Sequence, residues 1–210
     1  MRGYLADGVF MAACDEDIVV LNVRTDHYSC LAEAAEHLAV DGAGVDGPEP
    51  LIEDLVSASL LSLTPGADRT DLPPLPTRAL PYWTTRPSVA DRWTVVRALL
   101  ASWRAGSGRH PLERLLDDVP TPPNREPRLE TISRLTAGFA DLLPWDPTQG
   151  ACLYRAWLLR RILQSRQQHV VWVFGVKTWP FGAHCWLQVG EYVLDDDPDR
   201  VALYKPIMAV

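Results

Sequence analysis

The chain is poor in cysteine: Cys14, Cys30, Cys152 and Cys185 are scattered through 210 residues, and no two form a C-x-x-C pair. Thiols so few and so far apart exclude the disulfide framework of a small secreted domain, and no His stands at a spacing that completes a zinc knuckle. Reduced thiols, no metal and no bound cofactor are expected. A long apolar run is also missing. The N-terminal apolar stretch is interrupted by Asp7, Asp15, Glu16 and Asp17, which removes a signal peptide, and no later run reaches the roughly 18 residues of a membrane span. A cytoplasmic protein without a membrane partner is expected. Basic excess is absent as well. A formal charge of -7 and a pI near 5.2 leave no cationic stripe for phosphates, so nucleic acid is not an expected partner.

What is present is an ordinary globular composition, 47% hydrophobic and 22% charged, enough to bury one large core or two small ones. Val9 to Ala13 and Ile18 to Val23 flank Asp15-Glu16-Asp17 and read as a hairpin, with a further short strand at His27 to Cys30. Leu31 to Val40 reads as a helix with Leu31, Ala34, Ala35 and Leu38 on one face, and Glu49 to Leu61 repeats that pattern. The prolines between Thr64 and Pro87 favour an extended connector. Beyond them, Ser88 caps a predicted helix to Ala105 whose apolar stripe is Trp93, Val96, Leu99, Leu100 and Trp103. Shorter helices follow at Leu112 to Leu116 and Leu129 to Leu143.

The last sixty residues carry the chemistry. Asp146-Pro147-Thr148-Gln149 fits a helix start, so Cys152 falls within the first two turns of a helix running to Arg166. Unpaired backbone N–H groups and the positive dipole end favour a thiolate there. That helix pattern has one buried side, with Arg155, Arg160, Arg161 and Arg166 as its cations. Val170 to Val176 is an unbroken β-branched and aromatic run, hence a central strand. Gly182 to Val189 is a second strand, carrying His184 beside the small residues Gly182 and Ala183. Tyr192 to Asp195 returns antiparallel. Strand alternation turns Cys185 away from His184. Trp179 and Phe181 read as core aromatics or as walls of a cleft.

A thiol, an imidazole and a carboxylate in that order fit a nucleophile, its base and the acceptor that orients the base. The acid stays open on residue grounds. A two-residue turn at Gly190-Glu191 places His184 opposite Asp197 and on the same face as Asp195, whereas a bulge brings Asp196 level. The remaining acids read as a solvated turn before Pro198.

The segments C-L-x-R-A from Cys152, P-F-G-A-H-C-W around His184 and L-D-D-D-P-D-x-V-x-x-Y from Leu194 resemble the transglutaminase-like peptidase domain of lasso-peptide B proteins. I-V-V-L-N-V-x-T-x-x-Y-x-x-L from Ile18 is similar to the leader-recognition domain often fused to it. The resemblance implies an α+β chain in three parts. Residues 1–64 would form a small winged-helix-like leader-recognition domain, a three-stranded sheet plus helices. Residues 65–87 would be a proline-rich linker. Residues 88–210 would form a papain- or transglutaminase-like domain with helices packed on an antiparallel sheet. It also implies Cys152 as nucleophile, His184 as base and Asp196 as acid, and hence a bulge in the hairpin. Two departures are visible: Cys185 stands where the family has a small residue, and Asp195 where it has Asn.

The activity implied is removal of the leader from a lasso-peptide precursor before an asparagine-synthetase-like cyclase closes the macrolactam. The Cys152 backbone N–H is the expected first oxyanion donor and Gln149 a candidate second. Tyr28 and Leu31 on the N-terminal edge, with Leu51 and Leu55 on the following helix, are candidate leader contacts through strand addition. Two alternatives share the sequence: a transglutaminase-type amide acyltransferase using the same triad, and a non-catalytic leader-presenting chaperone.

Overall fold

The computed structural model describes residues 1–66, 69–106, 110–117, 126–145 and 152–210. The first unit gathers Met1–Pro73, Phe174–Ala183 and Tyr204–Ala209, and the second Pro74–Val173, His184–Leu203 and Val210.

In the first unit, β1 (Arg2–Leu5) precedes the hairpin of β2 (Val9–Cys14) and β3 (Asp17–Asn22). The hairpin register, Cys14↔Asp17 through Val9↔Asn22, leaves Asp15 and Glu16 as the turn, with Asp15 at φ 53°. Left-handed backbone is what a two-residue hairpin turn demands, and Asp tolerates it. β4 (His27–Leu31) pairs antiparallel with β3, and β2-β3-β4 is the N-terminal three-stranded sheet.

The helix expected over Leu31 to Val40 does not form. Leu31 instead pairs with Ile18, a single 3-10 turn spans Ala34–Glu36, and β5 (Ala39–Asp41) opens a hairpin with β6 (Gly44–Asp46). The helix-like spacing of Leu31, Ala34, Ala35 and Leu38 is met by that one turn, which packs Leu38 into the core and the other three against it. Strand pairing at both ends of the segment, to β3 at Leu31 and to β6 at Ala39 and Val40, competes successfully with a short helix of modest propensity.

α1 (Glu49–Ser57) and β7 (Leu61–Ser62) complete this part, and β5-β6-β1-β7 form a second, four-stranded sheet that the sequence did not announce. Leu5, Val9, Ile18, Val20, Val45, Ile52 and Leu55 are among the residues of their shared core.

The second unit begins with β8 (Arg78–Ala79), a short strand within the proline-rich stretch. α2 (Val89–Ala105) starts as expected. The Ser88 hydroxyl accepts from Asp91 N at 3.1 Å, and Asp91 Oδ2 accepts from Ser88 N at 3.0 Å, a reciprocal capping box. Its buried face differs from the predicted stripe. Trp93, Leu100 and Trp103 are exposed, while Asp91, Val95, Leu99 and Ser102 are buried. The reason is polar pairing along that seam: the Ser102 hydroxyl bonds Tyr154 Oη at 2.8 Å, and Arg134 Nε bonds Asp91 at 3.3 Å.

α3 (Leu112–Leu116) and α4 (Leu129–Leu142) follow, then α5 (Cys152–Ser165), which packs against both α2 and α4. With helices on two sides, α5 is buried over most of its circumference rather than on one face, and Arg160 is drawn inside, its guanidinium 5.7 Å from the Trp172 ring centroid.

The C-terminal strands are β9 (Val171–Lys177), β10 (Gly182–Val189) and β11 (Tyr192–Leu194), followed by the short helix α6 (Pro198–Val201) and β12 (Lys205–Ala209). They form a five-stranded sheet in the order β12-β9-β10-β11-β8. β11 runs antiparallel to β10, and β8 lies parallel to β11 through Tyr192↔Arg78 and Val193↔Ala79. The architecture is α+β. Among the described residues no helix is long and apolar enough to cross a membrane.

Candidate active site

β10 places His184, Trp186 and Gln188 on one face by its two-residue period, and all three are buried. The Trp186 indole donates to Gln188 Oε1 at 2.9 Å and the Gln188 amide donates to the Pro74 carbonyl at 2.9 Å. These bonds satisfy buried polar atoms behind the imidazole, whose ring stacks over Trp186 at 6.2 Å. His184 Nε2 lies 2.6 Å from Asp196 Oδ2.

How Asp196 arrives there differs from expectation. The hairpin keeps the simple two-residue register, Val189↔Tyr192, Gln188↔Val193 and Leu187↔Leu194, with no inserted residue. The predicted bulge is absent. β11 stops at Leu194, and Asp195 takes a left-handed backbone, φ 54°, which turns the chain out of the ladder and swings Asp196 toward His184. One left-handed residue achieves what a register shift would have done.

The three consecutive aspartates have three tasks. Asp195, with a side chain 4% exposed, receives Arg155 Nε at 2.5 Å and Nη2 at 2.7 Å. Asp196 holds the imidazole with Oδ2 while Oδ1 accepts from Asp197 N at 2.9 Å. Asp197 caps α6 by accepting from Asp199 N at 2.8 Å. A solvated turn describes Asp197 alone.

Cys152 stands at the start of α5 as described, and it lines a cavity of about 190 Å³ with Arg155, His184, Cys185, Asp195 and Asp196. A hydrogen bond from the Cys185 thiol, then bonds from His184 and the Cys185 backbone N–H, outweigh burial and lower the Cys152 thiol to about 4. Burial opposes a charged His184, but its bonds to Asp196 and Cys152 lift the imidazole to about 9. Burial likewise opposes ionisation of Asp196, yet the bonds from His184 and Asp197 N and the nearby Arg200 hold it below the usual carboxylate range. The arrangement favours a thiolate–imidazolium pair buttressed by a carboxylate. Such a pair is a nucleophile with its proton donor in place.

Cys185 is therefore not a bystander. Alternation turns it away from His184, yet its thiol bonds Cys152, and that bond and burial raise its own pKa well above the ordinary value. Trp172 is its further hydrogen-bonding neighbour. The sequence marked Cys185 only as a departure from the family pattern, and gave Arg155 no role beyond a helix cation. Gln149, the candidate oxyanion donor, and the helix-start signals from Asp146 lie outside the described residues. Among the described residues no group of three or more His, Cys, Asp or Glu is placed to hold a metal ion.

Residues 93–209 match the transglutaminase-like superfamily. The chain belongs to that superfamily. A 48-residue stretch is also 44% identical to the microcin J25-processing protein McjB of Escherichia coli, covering 23% of this chain and 23% of that protein. The chain thus matches about a quarter of that relative's length. No solved structure gives a significant match. The superfamily match agrees with the transglutaminase-like resemblance carried by the C-terminal motifs.

The candidate leader contacts lie in the first unit. Leu55 is in the core, with Leu31 and Leu51 partly buried against it. Tyr28 is on β4, the outer strand of its sheet, and its ring centroid is 5.8 Å from that of Phe181. Tyr28, Ser29, Cys30, Thr178, Trp179 and Phe181 line a mainly apolar cavity of about 160 Å³. Trp179 and Phe181 are not core residues: they are 79% and 52% exposed. The Trp179 indole donates to buried Asp17 Oδ2 at 2.8 Å.

Proposed function

We propose that this protein is a cysteine peptidase that binds and removes the leader of a lasso-peptide precursor before a partner cyclase closes the macrolactam. The contact chain from Cys152 through His184 to Asp196 carries the reading. The superfamily match and the McjB stretch support lasso-peptide processing as its setting.

In the proposed cycle the Cys152 thiolate attacks the scissile carbonyl and a tetrahedral oxyanion forms. His184 gives its proton to the departing amine, which leaves with the core peptide, and the leader stays as a thioester on Cys152. Neutral His184 then takes one proton from water, whose oxygen attacks the thioester, releasing the leader's carboxyl group, which gives the second proton to solvent, and restoring the thiolate–imidazolium pair. Asp196 keeps Nε2 occupied, so the other ring nitrogen faces the thiol.

The leader would join β4 as an added strand, with one side chain seated in the cavity between Tyr28 and Phe181. The outer position of β4 and the exposed aromatics beside it support this, whereas the core position of Leu55 shifts the recognition surface away from α1.

The test is incubation of the protein with precursor peptide and a primary amine, followed by mass measurement of the products. Leader with a free carboxylate and core with a free amine establish hydrolysis. A leader–amine adduct would instead make the protein an acyltransferase, and maturation by Cys152→Ala at the wild-type rate would make it a leader-presenting chaperone.

A further inference from the structure

Helix periodicity sets Cys152 and Arg155 one turn apart on neighbouring positions of one surface. From that surface Arg155 reaches Asp195, the residue whose left-handed backbone aims Asp196 at His184. The contact is bidentate, with both guanidinium N–H groups on separate carboxylate oxygens at 2.5 and 2.7 Å, the geometry in which arginine gives direction as well as charge. Asp195 is nearly enclosed although it is a carboxylate next in sequence to another carboxylate, and Tyr82 adds a hydroxyl hydrogen bond to it. Burying a second anion beside Asp196 is costly unless it is paired. A left-handed non-glycine residue adds its own conformational cost. Both costs fall at one position, and both are met by a side chain from the nucleophile's helix.

We propose that Arg155 is a positioning residue: by gripping Asp195 it fixes the left-handed turn and thereby holds the His184–Asp196 couple in register with Cys152. One side chain then ties both ends of the triad, the helix that supplies the thiol and the turn that supplies the acid. Asp195, where the family pattern has Asn, makes the grip ionic. Tyr82 supports it from the segment that follows the proline-rich stretch. The proposal rests on the triad reading above.

The experiment measures alkylation of Cys152 by iodoacetamide across pH, followed on the Cys152 peptide by mass spectrometry so that the other thiols do not contribute. It is run on the full chain as wild type, Arg155→Ala, Arg155→Lys, Asp195→Asn and His184→Ala, with far-UV circular dichroism on each. Wild type should alkylate fast at about pH 6, and His184→Ala should lose that rate, since a thiolate at that pH needs its imidazolium. Arg155→Ala should keep its dichroism and move the midpoint of its alkylation–pH profile up by about one pH unit or more, a loss of roughly tenfold on the acid limb below about pH 4. Asp195→Asn, which still tolerates the left-handed backbone, should lose less. Arg155→Lys should recover part of the rate. With precursor peptide, kcat should drop with KM nearly unchanged.

Wild-type alkylation behaviour in folded Arg155→Ala would overturn the positioning role while leaving the triad standing. An unactivated thiol in wild type, indifferent to His184→Ala, would overturn the triad reading and the proposal together. Should Arg155→Ala fail to fold, Arg155→Lys and Asp195→Asn decide by the same comparison: a wild-type rate in both rejects the proposal, and a graded loss supports it.

Discussion

His184 and Asp196 meet across 2.6 Å although the hairpin register would set His184 opposite Asp197. That pairing depends on one backbone conformation, at Asp195. The catalytic consequence is separable from the neighbouring acids. Asp196→Ala should lower kcat for leader cleavage by on the order of 10²–10⁴-fold, as expected when an orienting carboxylate is lost. Asp197→Ala, which removes a cap from the short α6, should cost less than about tenfold, through stability of order 1 kcal/mol. Steady-state cleavage of precursor peptide by the two variants checks this.

The rate should follow a bell in pH. The thiolate–imidazolium pair is present once Cys152 has lost its proton, with the thiol lowered to about 4, and persists until His184 loses its own, with the imidazole raised to about 9. Acid therefore removes activity by protonating the thiolate, and alkali by discharging the imidazolium. A profile of kcat/KM should show limbs near those two values. A rising limb at about 8.5 instead would mean that the thiol is ordinary in the free enzyme.

Cys185→Ala should raise the pKa of the Cys152 thiol, because it deletes the thiol hydrogen bond that is the largest influence on Cys152 while leaving the backbone N–H. The midpoint of Cys152 alkylation against pH should move up by about one pH unit or more, a loss of roughly tenfold on the acid limb. Cys185→Ser, which restores a donor of similar size, should recover much of the loss.

Ser88→Ala should destabilise the second unit by about 1 kcal/mol, lowering Tm by about 2–4 °C. The hydroxyl closes the capping box of α2 and also donates to Asp91, whose carboxylate is buried and paired with Arg134. Differential scanning calorimetry reads the shift directly.

Tyr28→Ala and Phe181→Ala should each weaken leader binding by about 5–30-fold, the effect of losing 1–2 kcal/mol of apolar contact. Binding of a fluorescent leader peptide measured with the Cys152→Ala protein isolates recognition from cleavage. Equal affinity in all variants would move the recognition surface elsewhere.

Sequence reasoning reached most of the scaffold around the candidate site because that scaffold rests on local signals. The β-branched run before Lys177, the turn at Gly190-Glu191 and the Ser88 cap each have a local physical cause. It failed where the deciding term lay elsewhere. The α2 seam was misread because Trp93 and Trp103 are apolar yet exposed, while Asp91 and Ser102 are polar yet buried by partners on α4 and α5. Leu31 to Val40 forms no helix because its two ends are taken by strand partners far along the chain, Leu31 by Ile18 and Ala39–Val40 by Val45–Asp46, which a short amphipathic segment cannot reveal. The choice of Asp196 came through family resemblance, since no local pattern distinguishes an aspartate that adopts left-handed backbone from its two neighbours. Arg155 was legible only as a helix cation, because its partner is forty residues away.

The run Asp195-Asp196-Asp197 encodes its tasks by position alone. Deleting any one of the three yields the same shortened chain, so such a deletion has no identity of its own. It would leave two aspartates to divide the grip on Arg155, the hold on His184 and the cap of α6. Information here resides in count and spacing rather than in residue type, and a single-codon slip in this repeat would reassign all three jobs at once.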